Sequence, residues 1–197
     1  MADKRLSKKL SYLLRHGANE VGLCVNTAGY ARVQDVLRLQ DMRRYTVQDI
    51  ERVVAMNDKQ RFTLKQDEQD EALYIRANQG HTLPHIDPDQ LLERIKDPAL
   101  IPVCIHGTYI HHMASIMKRG LCRMKRNHIH FAMGEVDDGQ VISGMRKSVQ
   151  VKIYLDVEKA MNDGILFYKS SNNVILSPGN DEGIINPMYF KRIVRMT

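Results

Sequence analysis

LSKKLSYLLRHG, residues Leu6 to Gly17, sets the reading of the whole chain. Placed on a helix at roughly 100° per residue, Leu6, Leu10, Leu13 and Leu14 fall within about 100° of one another and form one apolar stripe. Arg15 then lies about 150° from the centre of that stripe and His16 about 110° from it. Both point off the core and can share a surface. Arginine offers phosphate a permanently charged fork. Histidine is the side chain best suited to move a proton near neutral pH. Together at a helix end they point to binding of, or chemistry on, a phosphate. A structural explanation stands beside this one: a cation in the last turn complements the helix dipole, and Gly17 is expected to be the glycine that stops the helix.

The chain has 197 residues, room for one large domain or two small ones. Apolar residues make up 43% and charged residues 26%, an ordinary globular composition. No run of about 18 apolar residues marks a membrane span, and no apolar signal region opens the chain. Cys24, Cys104 and Cys122 are odd in number and far apart. Neither a zinc ribbon nor a disulfide framework is indicated, and an intracellular setting, cytoplasmic or nuclear, is expected. The net charge of +6 is unevenly placed. Lys4, Arg5, Lys8, Lys9 and Arg15 face only Asp3 near the start, and Lys118, Arg119, Arg123, Lys125 and Arg126 face no acid at all. Such clusters suit a polyanion if they meet a common partner, and are otherwise a solvated face.

Two lobes joined by a linker are expected: residues 1–80, a linker at 81–100 carrying Pro84, Pro88 and Pro98, and residues 101–197. The first lobe reads as the opening helix, a short helix at Val33–Leu39, and a helix at Thr46–Asn57 with Thr46 as N-cap. Two strands follow, Arg61–Lys65 and Ala72–Ala77, joined by the acidic turn 66–71. Three helices and a hairpin form a winged-helix-like pattern. Its acidic tip would be repelled by phosphate, so the base of the hairpin is expected to face RNA. The linker is read with one helix, Asp89–Lys96. Beyond it come a strand at Val103–His106, a helix at Tyr109–Arg119 ended by Gly120, and strands at His128–Met133, Val149–Asp156, Ile165–Tyr168, Asn173–Leu176 and Tyr189–Val194. Few helices among many short strands make the fold class α+β.

Three further segments are polar where chemistry is plausible. Arg61, in Asp58-Lys59-Gln60-Arg61-Phe62, opens a strand on the expected binding side; it also suits a surface arginine beside a buried Phe62. Gln79-Gly80-His81 sets a glycine between two polar groups, which lets backbone approach a ligand, or simply forms a turn. Ile105-His106-Gly107-Thr108 is read as a strand end opening into a helix, where backbone and helix N-terminus favour an anion; its structural alternative is a helix start capped by Thr108. It is neither a GxGxxG fingerprint nor a Walker loop. His128 and His130 alternate along a strand, but with His111 and His112 they lack ligand spacing, so no metal is expected.

LSKKLSYLLRHG, KQRF, IRANQGH, HGT and KRNHIHF occur here in family order, and over nearly its whole length the chain resembles the RNA 2′-phosphotransferases, also called tRNA 2′-phosphotransferases. The resemblance implies an N-terminal winged-helix-like RNA lobe and a C-terminal ADP-ribosyltransferase-like NAD lobe. It implies removal of the internal RNA 2′-phosphate left at a tRNA splice junction. The phosphate attacks C1″ of the nicotinamide-bearing ribose of NAD and expels nicotinamide, giving a 2′-phospho-ADP-ribosylated RNA. The ribose 2″-hydroxyl then attacks phosphorus, leaving RNA with a 2′-hydroxyl and ADP-ribose 1″,2″-cyclic phosphate. NAD is consumed and no metal is needed. The family's Arg-His-Arg-Arg tetrad falls on Arg15, His16, Arg61 and Arg126. His106, Gly107 and Thr108 fall on the NAD-lobe HGT, and His130 joins them as a cofactor contact. Gln79, His81, Lys8 and Lys9 are expected to contact RNA or its phosphate.

Three arginines suit neutralisation of a phosphoryl transfer between anionic partners, and His16 suits acid–base work on a ribose hydroxyl. Two departures stand out. The family's HLS is His130-Phe131-Ala132 here, which removes one hydroxyl from the NAD lobe. Its QGHS ends in Thr82, which keeps one. A monomer is expected. Two other functions fit parts of the pattern. A one-step nucleic-acid ADP-ribosyltransferase would use the NAD lobe without needing three arginines. A non-catalytic RNA-binding winged-helix protein would explain the basic helix but not HGT or His16.

Overall fold

The computed structural model describes residues 2–135, 145 and 148–196 and falls into two units, Met1–Leu91 and Leu92–Thr197. Its class is α+β.

The first unit opens with α1, Ala2–Tyr12, whose turns widen to five-residue spacing over Leu13–Gly17. Leu6, Leu10 and Leu14 are fully buried and Leu13 nearly so, which is the apolar stripe expected. Burying each such side chain contributes about 1.5–3 kcal/mol, enough to hold the segment on the core while its hydrogen bonds shift register. Gly17 does not end the helix. Its backbone is helical, as is that of Ala18, and the left-handed residue is Gly22 at φ 66°. Glycine stands at 17 for space, because a Cβ there would collide with the Tyr12 ring.

A three-residue strand unforeseen in the sequence, β1 at Tyr30–Arg32, leads into α2, Val33–Arg38. The next helix, α3 at Val47–Ala55, starts on a capping box: the Thr46 hydroxyl accepts from Asp49 N and the Asp49 carboxylate accepts from Thr46 N. Ile50 and Val53 carry its buried face. The hairpin is β2, Phe62–Gln66, and β3, Leu73–Ala77, paired in register Phe62↔Ala77 to Gln66↔Leu73. The sheet order is β1-β3-β2. At the acidic tip Asp70 accepts from the Tyr74 hydroxyl and pairs with Arg32 on β1 at 3.2 Å.

Residues 81–100 are divided between the units rather than standing apart from them. Leu83, Ile86 and Leu91 are buried in or beside the first unit's last turn, α4 at Pro88–Leu91. The expected helix Asp89–Lys96 stops there, and Glu93–Ile95 becomes strand β4 because its backbone pairs with residues 167–169 of the second unit.

In the second unit, β5 is Ile105–Thr108, α5 is Met113–Arg119, β6 is Leu121–Cys122 and β7 is Ile129–Ala132. Then come β8, Val151–Leu155, α6, Val157–Asn162, β9, Phe167–Lys169, and β10, Val174–Ser177. β11, Ile184–Ile185, and β12, Phe190–Arg195, complete it. Among the described residues seven strands form one sheet in the order β12-β8-β5-β7-β10-β9-β4, and β11 pairs with β6. The core packs Phe131, Ile153, Phe167 and Ile175, all fully buried, against Leu121, Val157 and Ala160. α6 was missed in the sequence, although Asp156 caps it by accepting from Lys159 N. No helix among the described residues is long and apolar enough to cross a membrane.

Candidate active site

In the first unit the five-residue turn sets Arg15 and His16 half-buried beside the segment that leaves β3. Thr82 N and Thr82 Oγ1 both donate to the Arg15 carbonyl, at 2.9 and 3.3 Å. The Thr82 hydroxyl also lies 3.1 Å from His16 Nδ1. With its hydrogen directed to the carbonyl, it accepts from Nδ1–H, an assignment that follows from the hydrogen-bond network. The neutral ring then carries its lone pair on Nε2. The side chain of Arg15 lies along Gly80, with Cδ, Nε and Cζ each 3.6 Å from where a Cβ would stand. Gly80 has φ 90°, a backbone state that favours glycine.

Arg61, the residue just before β2, approaches the same segment through its backbone. Asn78 N donates to the Arg61 carbonyl at 2.9 Å, and Asn78 Nδ2 donates to the Gln60 carbonyl at 2.7 Å. The Arg61 side chain is held by Asn57, whose Oδ1 accepts from Arg61 N at 3.2 Å and Nη1 at 3.1 Å. Asn57 in turn donates to Ser7 Oγ on α1 at 3.3 Å. Arg61 and Lys8 line one cleft of about 490 Å³ together with Ser11 and Lys59.

The other expected contacts separate. Lys9 leaves the Lys8 face, donating to the Asp41 carbonyl at 3.0 Å and pairing with its carboxylate at 3.4 Å. Gln79 and His81 are buried, and His81 Nε2 lies 3.5 Å from the Cβ position of Gly29. Thr82 carries the hydroxyl noted after Gln79-Gly80-His81, and Asn78 lies within IRANQGH, but neither they nor Asn57 stood out in the sequence as the groups that fix His16 and Arg61. The polar Asn57-Asp58 closing an apolar helix was the one local hint.

In the second unit His106, Gly107 and Thr108 lie inside β5, paired with Ile153, Lys152 and Val151 of β8. They do not open a helix. A short turn, Ile110–His112, intervenes, and α5 starts at Met113 without a side-chain cap, so Thr108 is no N-cap. The strand runs on because β8 supplies partners as far as Thr108, whose carbonyl accepts from Gln150 N. The space before Gly107 is taken by Met145 and Val149, each within 2.6 Å of where a Cβ would be, so the glycine makes room for those side chains.

His106 Nδ1 sits 3.0 Å from the His130 carbonyl. A carbonyl only accepts, so Nδ1 carries the hydrogen. Burial lowers the His106 pKa, with the carbonyl bond opposing it. The neutral ring therefore presents an acceptor at Nε2. His106 and Thr108 line a cavity of about 380 Å³ with Ser115, Arg119 and Leu121. His128 is pushed down to about 4 by burial and the nearby Arg123 charge, and its ring meets Tyr168 edge-on. His130 stands on β7 opposite Leu176. Arg126 is exposed on the loop after β6. Arg123 braces that loop: its Nη1 donates to the Arg126 carbonyl at 2.9 Å, and its own N donates to the Gly183 carbonyl. Among the described residues no group of three or more His, Cys, Asp or Glu side chains is placed to hold a metal.

Comparison with known proteins agrees with the motif order. Residues 1–179 match the family described as RNA 2′-phosphotransferase, Tpt1 / KptA family. The chain is 49% identical over 195 residues to tRNA 2′-phosphotransferase 1 of Danio rerio, covering 98% of this chain and 86% of that protein. It is 41% identical over 194 residues to tRNA 2′-phosphotransferase 1 of Homo sapiens, covering 98% and 76%. With tRNA 2′-phosphotransferase of Saccharomyces cerevisiae it shares 39% over 181 residues, covering 89% and 78%. A match that spans both units and reaches this identity decides the assignment: the chain belongs to the RNA 2′-phosphotransferase family, a family of transferase enzymes.

Proposed function

We propose that this chain removes an internal 2′-phosphate from RNA in a reaction that consumes NAD, with spliced tRNA as its natural substrate class. The observation that carries the proposal is the grouping of Arg15, His16 and Arg61 around residues 78–82, in a chain of this family. The first unit is read as a winged-helix-like RNA lobe, from its element order and its β1-β3-β2 sheet. The second is read as an ADP-ribosyltransferase-like NAD lobe.

In this reading Arg15, Arg61 and Arg126 neutralise the phosphate by charge-assisted hydrogen bonds. His16, steadied at Nδ1 by Thr82, takes or gives a proton at Nε2. The cavity beside His106 is within the usual size for a small-molecule site. Its neutral ring is suited to accept a hydrogen bond from a ribose hydroxyl, and the donor set fits NAD. Thr108 on the same strand and His130 on β7, whose carbonyl holds His106, belong to the same proposed contact surface, while the space before Gly107 is filled by Met145 and Val149. Bound there, NAD supplies the ribose carbon that takes up the phosphate as nicotinamide leaves.

The test is incubation with an RNA bearing one internal 2′-phosphate, with and without NAD. RNA with a 2′-hydroxyl together with ADP-ribose 1″,2″-cyclic phosphate is expected, and only with NAD. ADP-ribosylated RNA as the end product would instead establish the one-step transfer, and binding without turnover would reduce the chain to an RNA-binding protein.

A further inference from the structure

We propose that Asn57 is a positioning residue for Arg61, and that it serves because it is an uncharged acceptor. The inference rests on the reading of Arg61 as a phosphate-binding group. Asn57 lies just past the end of α3, and its own N donates to the Val54 carbonyl at 3.4 Å. A single atom, Oδ1, receives both the backbone N and the Nη1 of Arg61. The Nδ2 end reaches Ser7 on α1, and the Asn57 carbonyl receives Gln60 N at 2.7 Å. Helix, turn and first helix thus converge on one amide. The turn it closes is tight, with Gln60 at φ 44°. A long arginine side chain loses freedom when it binds, and a side chain already held loses less.

Its neighbours show the alternative. Arg52 is gripped by Asp3 and Asp49, Arg32 by Asp70 and Arg38 by Asp35. Those arginines have their charge answered within the fold. Arg61 has its backbone and one end of its head held by an amide that brings no charge. A carboxylate at 57 would hold the same atoms, but it would answer the cation and compete with a phosphate. The cleft that Arg61 lines is otherwise faced by Lys4, Lys8 and Lys59, with Asp3 and Asp58 of opposite sign. An acid at 57 would therefore subtract from the positive charge at the point where phosphate is to be held.

Asn57→Asp, Asn57→Ala and Arg61→Ala are compared with the wild type by thermal melting and by kcat and KM for a short RNA with an internal 2′-phosphate at saturating NAD. Asn57→Asp is expected to melt like the wild type, yet to raise KM by about 10-fold near neutral pH, the loss of one charged hydrogen bond. That gap is expected to narrow as pH falls and the carboxyl takes up a proton. Asn57→Ala, which frees the arginine without neutralising it, is expected to raise KM by about 3-fold with the wild-type pH profile. Wild-type KM in Asn57→Asp at every pH overturns the inference. If that variant does not fold, wild-type KM in Asn57→Ala overturns it. Arg61→Ala separates the two levels: wild-type kinetics there removes the underlying site, whereas loss of activity there with unchanged Asn57 variants removes only this inference.

Discussion

Thr82 and His16, 66 residues apart in the chain, meet through a hydroxyl 3.1 Å from Nδ1, while the same hydroxyl donates to the Arg15 carbonyl. One small side chain thus touches both members of the adjacent pair. A single hydrogen bond of this kind contributes about 1 kcal/mol, or roughly 5-fold in rate if it is lost only in the transition state. Thr82→Val is expected to lower kcat by about that factor with little change in KM for RNA. Thr82→Ser keeps the hydroxyl and is expected to restore the rate. Equal loss in both variants would show that the methyl group, and not the hydroxyl, matters.

Arg126→Ala is expected to slow conversion at least about 100-fold, as removal of one transition-state donor does elsewhere. Its side chain is exposed on a braced loop, so the melting temperature is expected to hold. Near-normal turnover would remove Arg126 from the site. His16→Ala is expected to accumulate ADP-ribosylated RNA, because the step that needs a proton moved suffers most. Loss of RNA binding without such a species would argue against the acid–base role.

Lys8 and Lys9 are neighbours with different surroundings, and salt dependence separates them. Lys8 lines the cleft with Arg61, whereas Lys9 is engaged with Asp41. If RNA phosphates lie in that cleft, Lys8→Ala is expected to weaken RNA binding and reduce the slope of log affinity against log salt by about 1. Lys9→Ala is expected to leave the slope unchanged and to cost no more than about 1 kcal/mol of stability, since its partner Asp41 is largely in solvent. Equal slopes for the two variants would place the RNA elsewhere.

The second unit is expected to lose stability as pH falls. His128 titrates near 4 in the folded chain, below its ordinary 6.5, and His106 is also lowered. Below pH 6.5 the unfolded chain takes up these protons first, so stability present above that value is lost as pH drops towards 4. Thermal melting at pH 7 and near pH 5 is expected to show the fall, and His128→Gln is expected to show a shallower one. Identical slopes would mean that His128 is as solvated in the fold as out of it.

Local periodicity carried much of the first unit. The stripe Leu6, Leu10, Leu13 and Leu14, the Thr46 cap and the hairpin around residues 66–71 were legible because each is written within a few residues. The errors came where distant backbone decides. Glu93-Arg94-Ile95 has no strand signal of its own and is a strand only because β9 pairs with it. Thr108 read as a helix cap because its lost neighbour, β8, begins more than 40 residues later. Arg15, His16 and Arg61 could be named from residue type and motif. The roles of the groups holding them could not, since Asn57, Asn78 and Thr82, the last two inside family motifs, act through hydrogen bonds that no spacing rule records.

The widened turn at Leu13–Gly17 places one more residue in a turn than regular helix geometry does. Orientation at this point is therefore stored in chain length as well as in side-chain identity. A chain one residue shorter in that turn, with both leucines and the Arg-His pair kept, would lack Gly17, and Ala18 and the residues after it would rotate by about 100° relative to the pair. Alignment gaps among relatives at this turn are thus informative in themselves: a single-residue deletion there signals a changed site even where the arginine and histidine persist.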